Sequence, residues 1–193
     1  MSTIVVTGGP GGGKSSFLND VRNDRELAER IVVLPEAIHA AVRSSISPRE
    51  PAFQRLVVNL QKKIEQAAAE TFESENRVLL THRGTLDPLA FCLSQGWSQE
   101  RFFAVTGLDP VTEYQRYHGV IHLVSTAVGA PQFYRYRPDE HRPETPQEAA
   151  VLDEHLGRIW GRHPRYHRIA NDSLDWGTKS QNARAALRQL LAG

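Results

Sequence analysis

Cysteine is almost missing from this chain: of its 193 residues, Cys92 is the only one. An internal disulfide is therefore impossible, and a cysteine-based zinc site is excluded. Cys92 sits in the apolar stretch Leu89-Ala90-Phe91-Cys92-Leu93 and is expected to be a core residue. Net charge is nearly absent too, with 23 Lys and Arg against 22 Asp and Glu. Such a balance gives no global attraction to nucleic acid or to an anionic membrane. No apolar run approaches the ~20 residues a membrane span needs. The first strand begins almost at once, without the basic region and apolar stretch of an export signal, which predicts a cytoplasmic protein. Repeats, low-complexity tracts and linkers are also missing, so a single domain over residues 1–193 is expected.

What is present is an alternation of two periodicities. Ile4-Val5-Val6, Ile31-Val32-Val33-Leu34, Val78-Leu79-Leu80, Val120-Ile121-His122-Leu123-Val124 and His167-Arg168-Ile169 read as five short, buried strands. Helices are predicted over about 14–23, 51–72, 87–93, from Ser98 onward, and over 146–160 and 179–191. In the second, Phe53, Leu56, Val57, Leu60, Ile64 and Ala67-Ala68 trace one apolar face. Thr145 followed by Pro146 marks a helix start. Residues 129–146 are rich in Pro, Arg and Tyr without either period, and read as a mobile connection. Strands alternating with helices predict a three-layer α/β fold with a five-stranded, mainly parallel sheet. Ligands of such sheets bind outside the carboxyl ends of the strands.

The segment after the first strand has the composition for that task. Gly8-Gly9-Pro10-Gly11-Gly12-Gly13-Lys14-Ser15 matches G-x-x-x-x-G-K-[ST] between a strand and a helix. Glycines allow the backbone to curl with its amides inward around phosphate oxygens, and the helix adds the positive end of its dipole. Lys14 is expected to reach the β- and γ-phosphates, Ser15 to ligate Mg²⁺, and Ser16 to continue the loop. This predicts a bound nucleoside triphosphate with Mg²⁺; no guanine-recognition signature is present, which favours ATP and leaves GTP open.

Other strand ends carry further candidates. Glu36 is either a general base on an acceptor hydroxyl or a solvated residue at a helix start. Arg83 is a candidate for substrate or phosphate. Asp87 caps the next helix, orients Arg83, or serves the metal in place of the aspartate that usually ends this strand. Arg137 and Arg142, in the irregular segment, suit a lid closing over phosphates, with a solvated loop as the alternative. His118/His122 and His163/His167 have helical metal-pair spacing, but the second member of each pair falls in a predicted strand. The Arg158, Arg162, Arg165 and Arg168 cluster lacks interleaved aromatics and reads as solvated surface rather than a nucleic-acid interface.

These motifs together resemble the P-loop domain shared by bacterial nicotinamide riboside kinases and the TRPL-translocation-defect protein, a group often described as predicted AAA-type ATPases. The likeness runs nearly end to end. It covers residues 7–16, Val33-Leu34-Pro35-Glu36-Ala37, Arg83-Gly84-Thr85-Leu86-Asp87, Glu113-Tyr114-Gln115-Arg116-Tyr117, Arg142-Pro143-Glu144, Glu148-Ala149, Trp160, His163-Pro164, Asn171 and Lys179. The resemblance implies a kinase-like core in which Glu36 is the conserved carboxylate, Arg83 the arginine of an Asp-Arg-Gly motif and Arg142 the lid arginine. Asn171 and Lys179 match a late segment near the nucleotide base. His82 stands where the family has Asp, which shifts the anionic role to Glu36 or Asp87 or weakens catalysis; Phe91 replaces a frequent Tyr.

Two functions follow as expectations. One is a kinase that phosphorylates a hydroxyl of an unidentified small-molecule or nucleoside-like acceptor, whose pocket the helix over 51–72 walls. The other is a nucleotide-binding switch or slow NTPase without an acceptor. A homodimer is compatible with both.

Overall fold

Short β-branched runs have no polar face to give to water, and the computed structural model sets them side by side in one sheet. The structure describes residues 1–136 and 144–192, so Arg137 and Arg142 lie outside the described residues. The strands are β1 (Thr3–Thr7), β2 (Ile31–Val33), β3 (Val78–His82), β4 (Gly119–Leu123) and β5 (Tyr166–Ile169). All neighbours pair in parallel, in the order β2-β3-β1-β4-β5. The helices are α1 (Lys14–Asn23), α2 (Arg25–Arg30), α3 (Ile38–Ala41), α4 (Pro51–Thr71), α5 (Asp87–Ser94), α6 (Gln99–Thr106), α7 (Pro110–Gln115), α8 (Pro146–Trp160) and α9 (Trp176–Ala192).

Alternation along β1 divides the core. Ile4 and Val6 join Phe17 and Val21 of α1, Leu27 of α2 and Leu187 of α9 on one face of the sheet. Val5 joins Val58 of α4, Leu89 of α5, Phe102 of α6 and Trp160 of α8 on the other. The three-layer α/β fold expected from the sequence is the one observed. Truncating a fully buried anchor such as Phe17 to Ala is worth about 3–5 kcal/mol of stability.

Three short helices were not expected. In α2 the Asp24 side chain accepts from the Leu27 amide, and in α7 Asp109 accepts from Thr112. α3 has no side-chain cap and instead rests Ala41 and Ile38 against Phe53 and Val57. One turn is too short for periodicity to register.

The inward face of α4 also differs from the predicted stripe. Phe53, Gln54, Val57, Val58, Gln61 and Glu65 are buried, whereas Leu56, Leu60 and Ile64 are only partly so and Ala67 is exposed. Hydropathy misplaces the face because α4 turns three polar side chains inward onto polar partners, Gln54 donating to the Pro48 carbonyl at 3.0 Å. Gln61 donates to Thr81 Oγ1 at 2.6 Å, and Glu65 accepts from Arg116 and Tyr117.

The sheet order places the site. β1 lies between β3 and β4, and the chain builds first toward β2 and β3, later toward β4 and β5. The carboxyl end of β1 is thus the point where winding reverses, and the loop leaving it faces a ready crevice.

Candidate functional site

The glycine loop follows β1 directly and ends in α1, whose first residue is Lys14. Gly8 (φ +134°) lies so close to β4 that a Cβ would sit 2.0 Å from the Leu123 carbonyl oxygen. Gly13 (φ +91°) caps α1 without any side-chain cap, and a Cβ there would strike the Trp176 ring at 2.2 Å. An uncapped helix start leaves its first-turn amides free of intrahelical partners, beside a dipole that favours anions. Ser15 and Ser16 are exposed on the same turn and line the cleft above it. The Lys14 ammonium is buried and donates to the carbonyls of Gly8 (2.7 Å) and Gly9 (2.9 Å). Burial, reinforced by the Arg83 charge, pulls its pKa down to about 7.

Residues far along the chain clamp this loop. Asp153 of α8 accepts from the amides of Gly9 (2.7 Å) and Ser125 (2.8 Å) and lies 3.1 Å from His122 Nε2. The Tyr166 hydroxyl is 2.6 Å from the other ring nitrogen of His122. Burial opposes the Asp153 charge, yet His122 and the two amides hold its carboxyl below the usual range. The Ser125 hydroxyl donates to the Pro10 carbonyl. Tyr134 packs where a Cβ on Gly11 would lie, 3.1 Å from its ring, and donates through its hydroxyl to the Glu144 carbonyl at 2.8 Å. The two described ends of the irregular segment thus meet over the loop.

At the ends of β2 and β3 a second cluster forms. Arg83 Nε donates to Glu36 Oε1 at 2.7 Å and Nη1 to Asp87 Oδ1 at 3.2 Å. His82 Nδ1 lies 3.0 Å from Glu36 Oε2, close enough to pair but off the line of a proper hydrogen bond. Although burial pushes the Glu36 carboxyl up, His82, Arg83 and Lys14 hold it well below the ordinary carboxylate range. Burial depresses the His82 imidazole below its ordinary value, against the opposing pull of Glu36. Arg83 itself has φ +68°, a left-handed backbone costing a non-glycine residue about 1–2 kcal/mol. Bonds from its amide to the Val6 carbonyl and from the Thr81 hydroxyl to its own carbonyl, each 3.0 Å, hold it there.

Not every expected residue serves the loop in the way expected. Asp87 is 1 % exposed and accepts from Thr7, Arg83, the Gly84 amide and the Trp160 indole. Those four donors occupy its oxygens, so of its expected roles the orienting of Arg83 fits and metal ligation does not. Asn171 and Lys179 do come together at 2.8 Å, but neither lines the cleft. Asn171 donates to the Ser125 and Val128 carbonyls, and Lys179 to Val124, so both brace the turn after β4. Asp153, Gln61 and Trp176 were missed. Asp153 had no local signal in a helix that already looked complete; Trp176 stood just before the predicted start of α9.

The loop, Glu36 and Arg83 open together on a cleft of about 550 Å³. Its further walls are Phe53, Val57 and Val58 of α4, Phe91 of α5 and Ile38 of α3, with Gln61 and Gln95 among them. Among the described residues no helix is long and apolar enough to cross a membrane.

A glycine loop between strand and helix, at the reversal point of a five-stranded parallel sheet, defines a P-loop NTPase-type domain. The family model described as an AAA domain matches residues 3–176, and the chain belongs to that family. No curated protein matches the chain. A domain of this class binds a nucleotide and hydrolyses it or transfers its phosphoryl group.

Proposed function

We propose that the chain is a magnesium-dependent phosphotransferase that moves the γ-phosphoryl group of ATP to a hydroxyl of a small-molecule or nucleoside-like acceptor. One observation carries the reading. The phosphate loop opens on a cleft whose far walls, Phe53, Val57, Val58 and Phe91, belong to no phosphate-binding element. Hydrolysis needs room for one water, whereas the cleft of about 550 Å³ extends beyond the loop along these apolar walls, the kind of surface that takes an organic ligand.

In this reading the loop amides and Lys14 hold the phosphates. Ser15, an exposed hydroxyl, and Glu36, an ionised carboxylate, offer the hard oxygen donors that Mg²⁺ takes, and the bound ion supplies charge neutralisation. Glu36 accepts the proton of the acceptor hydroxyl, and Arg83 stabilises charge on the transferring group. The Trp176 ring against Gly13 offers a stacking surface for the base. ATP is the preferred nucleotide, with GTP the alternative, and the cytosol the compartment. The likeness to nicotinamide riboside kinases accords with this chemistry.

Titration calorimetry with a non-hydrolysable ATP analogue and Mg²⁺ is expected to show association that Lys14→Ala weakens by roughly 100-fold, as for a lost charge-assisted contact of about 2–3 kcal/mol. ATP with an accepted hydroxyl compound is expected to give an acceptor-dependent burst of ADP. A second reading, a nucleotide-binding switch, is favoured by the engagement of Glu36 with Arg83 and His82. Slow hydrolysis that no compound in a broad metabolite pool accelerates selects the switch.

A further inference from the structure

We propose that Gln61 is the specificity-determining group of the cleft, a fixed hydrogen-bond acceptor that selects ligands bearing an N–H donor on their ring. The inference rests on the phosphotransfer reading, in that the ligand is the acceptor carrying the reactive hydroxyl.

The orientation of the Gln61 amide is set twice over. Its Nε2 donates to Glu65 Oε1 at 2.8 Å and to Thr81 Oγ1 at 2.6 Å. A carboxylate oxygen can only accept, so a flipped amide would set oxygen against oxygen. The Thr81 hydroxyl has one hydrogen, and it is directed to the Arg83 carbonyl at 3.0 Å. Thr81 Oγ1 must therefore also accept from Gln61. Both amide hydrogens are consumed, and the remaining polar atom of the side chain is Oε1.

That oxygen has no donor within the described protein, yet it is not among the sealed, partnerless polar atoms of the interior. Gln61 lines the cleft, and Oε1 is the part of its amide left to face it. Glu65 is itself immobilised by Arg116 Nη2 at 2.5 Å and Tyr117 Oη at 3.0 Å, so the amide cannot swing to suit a ligand. Phe53, Val57 and Phe91 line the same cleft and give an apolar body its contact area. A ligand ring that brings only acceptors to Gln61 leaves two lone-pair groups opposed in an apolar setting. An exocyclic amine or amide N–H satisfies the site.

The experiment compares matched nucleosides on the unaltered protein, saturated beforehand with Mg²⁺ and a non-hydrolysable ATP analogue. Adenosine is titrated against purine riboside, and cytidine against pyrimidin-2-one riboside, each pair differing by one amino group. At least one amino-bearing member is expected to bind about tenfold or more tightly than its partner. In Gln61→Met, checked by circular dichroism and by retained analogue affinity, that preference is expected to vanish. Equal binding within both pairs, no binding by any of the four, or a preference that survives Gln61→Met overturns the proposal. Since the comparison uses unaltered protein, a variant that fails to fold leaves it decisive. Phosphorylation of the bound nucleoside is read separately with Mg-ATP. Discrimination without transfer overturns the phosphotransfer reading alone, and transfer without discrimination overturns the role of Gln61.

Discussion

The two halves of the site are built from different materials. The phosphate half is backbone: eight consecutive residues, with amides at the start of α1 and one ammonium. The cleft half is side chain, assembled from α3, α4, β3 and α5 over some fifty positions of sequence. A backbone site needs a conformation, and a contiguous motif can dictate one. A side-chain site needs a packing arrangement, which no single segment specifies. The contrast extends to the carboxylates beside Arg83, both in the lining of the cleft: Asp87 is 1 % exposed with four donors, whereas the Glu36 side chain is 14 % exposed.

The largest test of the division strikes the phosphate half from a distance. Asp153→Ala removes the shared acceptor of Gly9, Ser125 and His122, leaving buried donors unpaired. A stability loss of about 3 kcal/mol is expected, read as a fall in melting temperature of roughly 6–12 °C for a chain this long. If the melting temperature holds while nucleotide affinity collapses, the clamp serves binding rather than folding.

Glu36→Gln probes the boundary between the halves. Transfer to an acceptor is expected to slow by about 100-fold in single-turnover assays, while nucleotide affinity changes little. An equal loss in affinity would move Glu36 into the phosphate half.

A pH test sharpens the same boundary. Lys14 titrates at about 7 in the free protein rather than near its ordinary value. Phosphates restore the charged form, so above about pH 7 nucleotide binding takes up a proton. Affinity is expected to fall up to tenfold per pH unit there and to be flat from this group below it. The free protein responds oppositely: the unfolded chain binds the extra proton across this window, so stability rises with pH. Calorimetry in buffers of different ionisation enthalpy counts the proton. Zero uptake at pH 8 would show that Lys14 stays charged without ligand.

The smallest expected effect is at the rim. Trp176→Ala, which removes the ring lying on Gly13, is expected to weaken ATP by about fivefold to tenfold. A matching loss for inorganic triphosphate would mean that the ring shapes the loop instead of holding a base.

Much of this was legible in the sequence, for reasons the same contrast explains. All five strands and the six longer helices announce themselves by composition or period, and the loop by its spacing. Arg83 was recognised, but its left-handed backbone was not, since nothing in an arginine signals φ +68°. The Gly9–Asp153 bond spans 144 positions and left no local trace. Gln61 and Glu65 interrupt an apolar stripe, and only the partners supplied by β3 and the turn after α7 explain why they point inward.

Tryptophan placement gives the molecule a built-in optical reporter. Of the three indoles, Trp160 is sealed and Trp97 is 7 % exposed, whereas Trp176 is 38 % exposed and rests on the phosphate loop. A collisional quencher such as acrylamide reaches only the third with ease. Emission of the unmodified chain therefore carries a selectively addressable signal from the spot where a ligand arrives, with no dye attached.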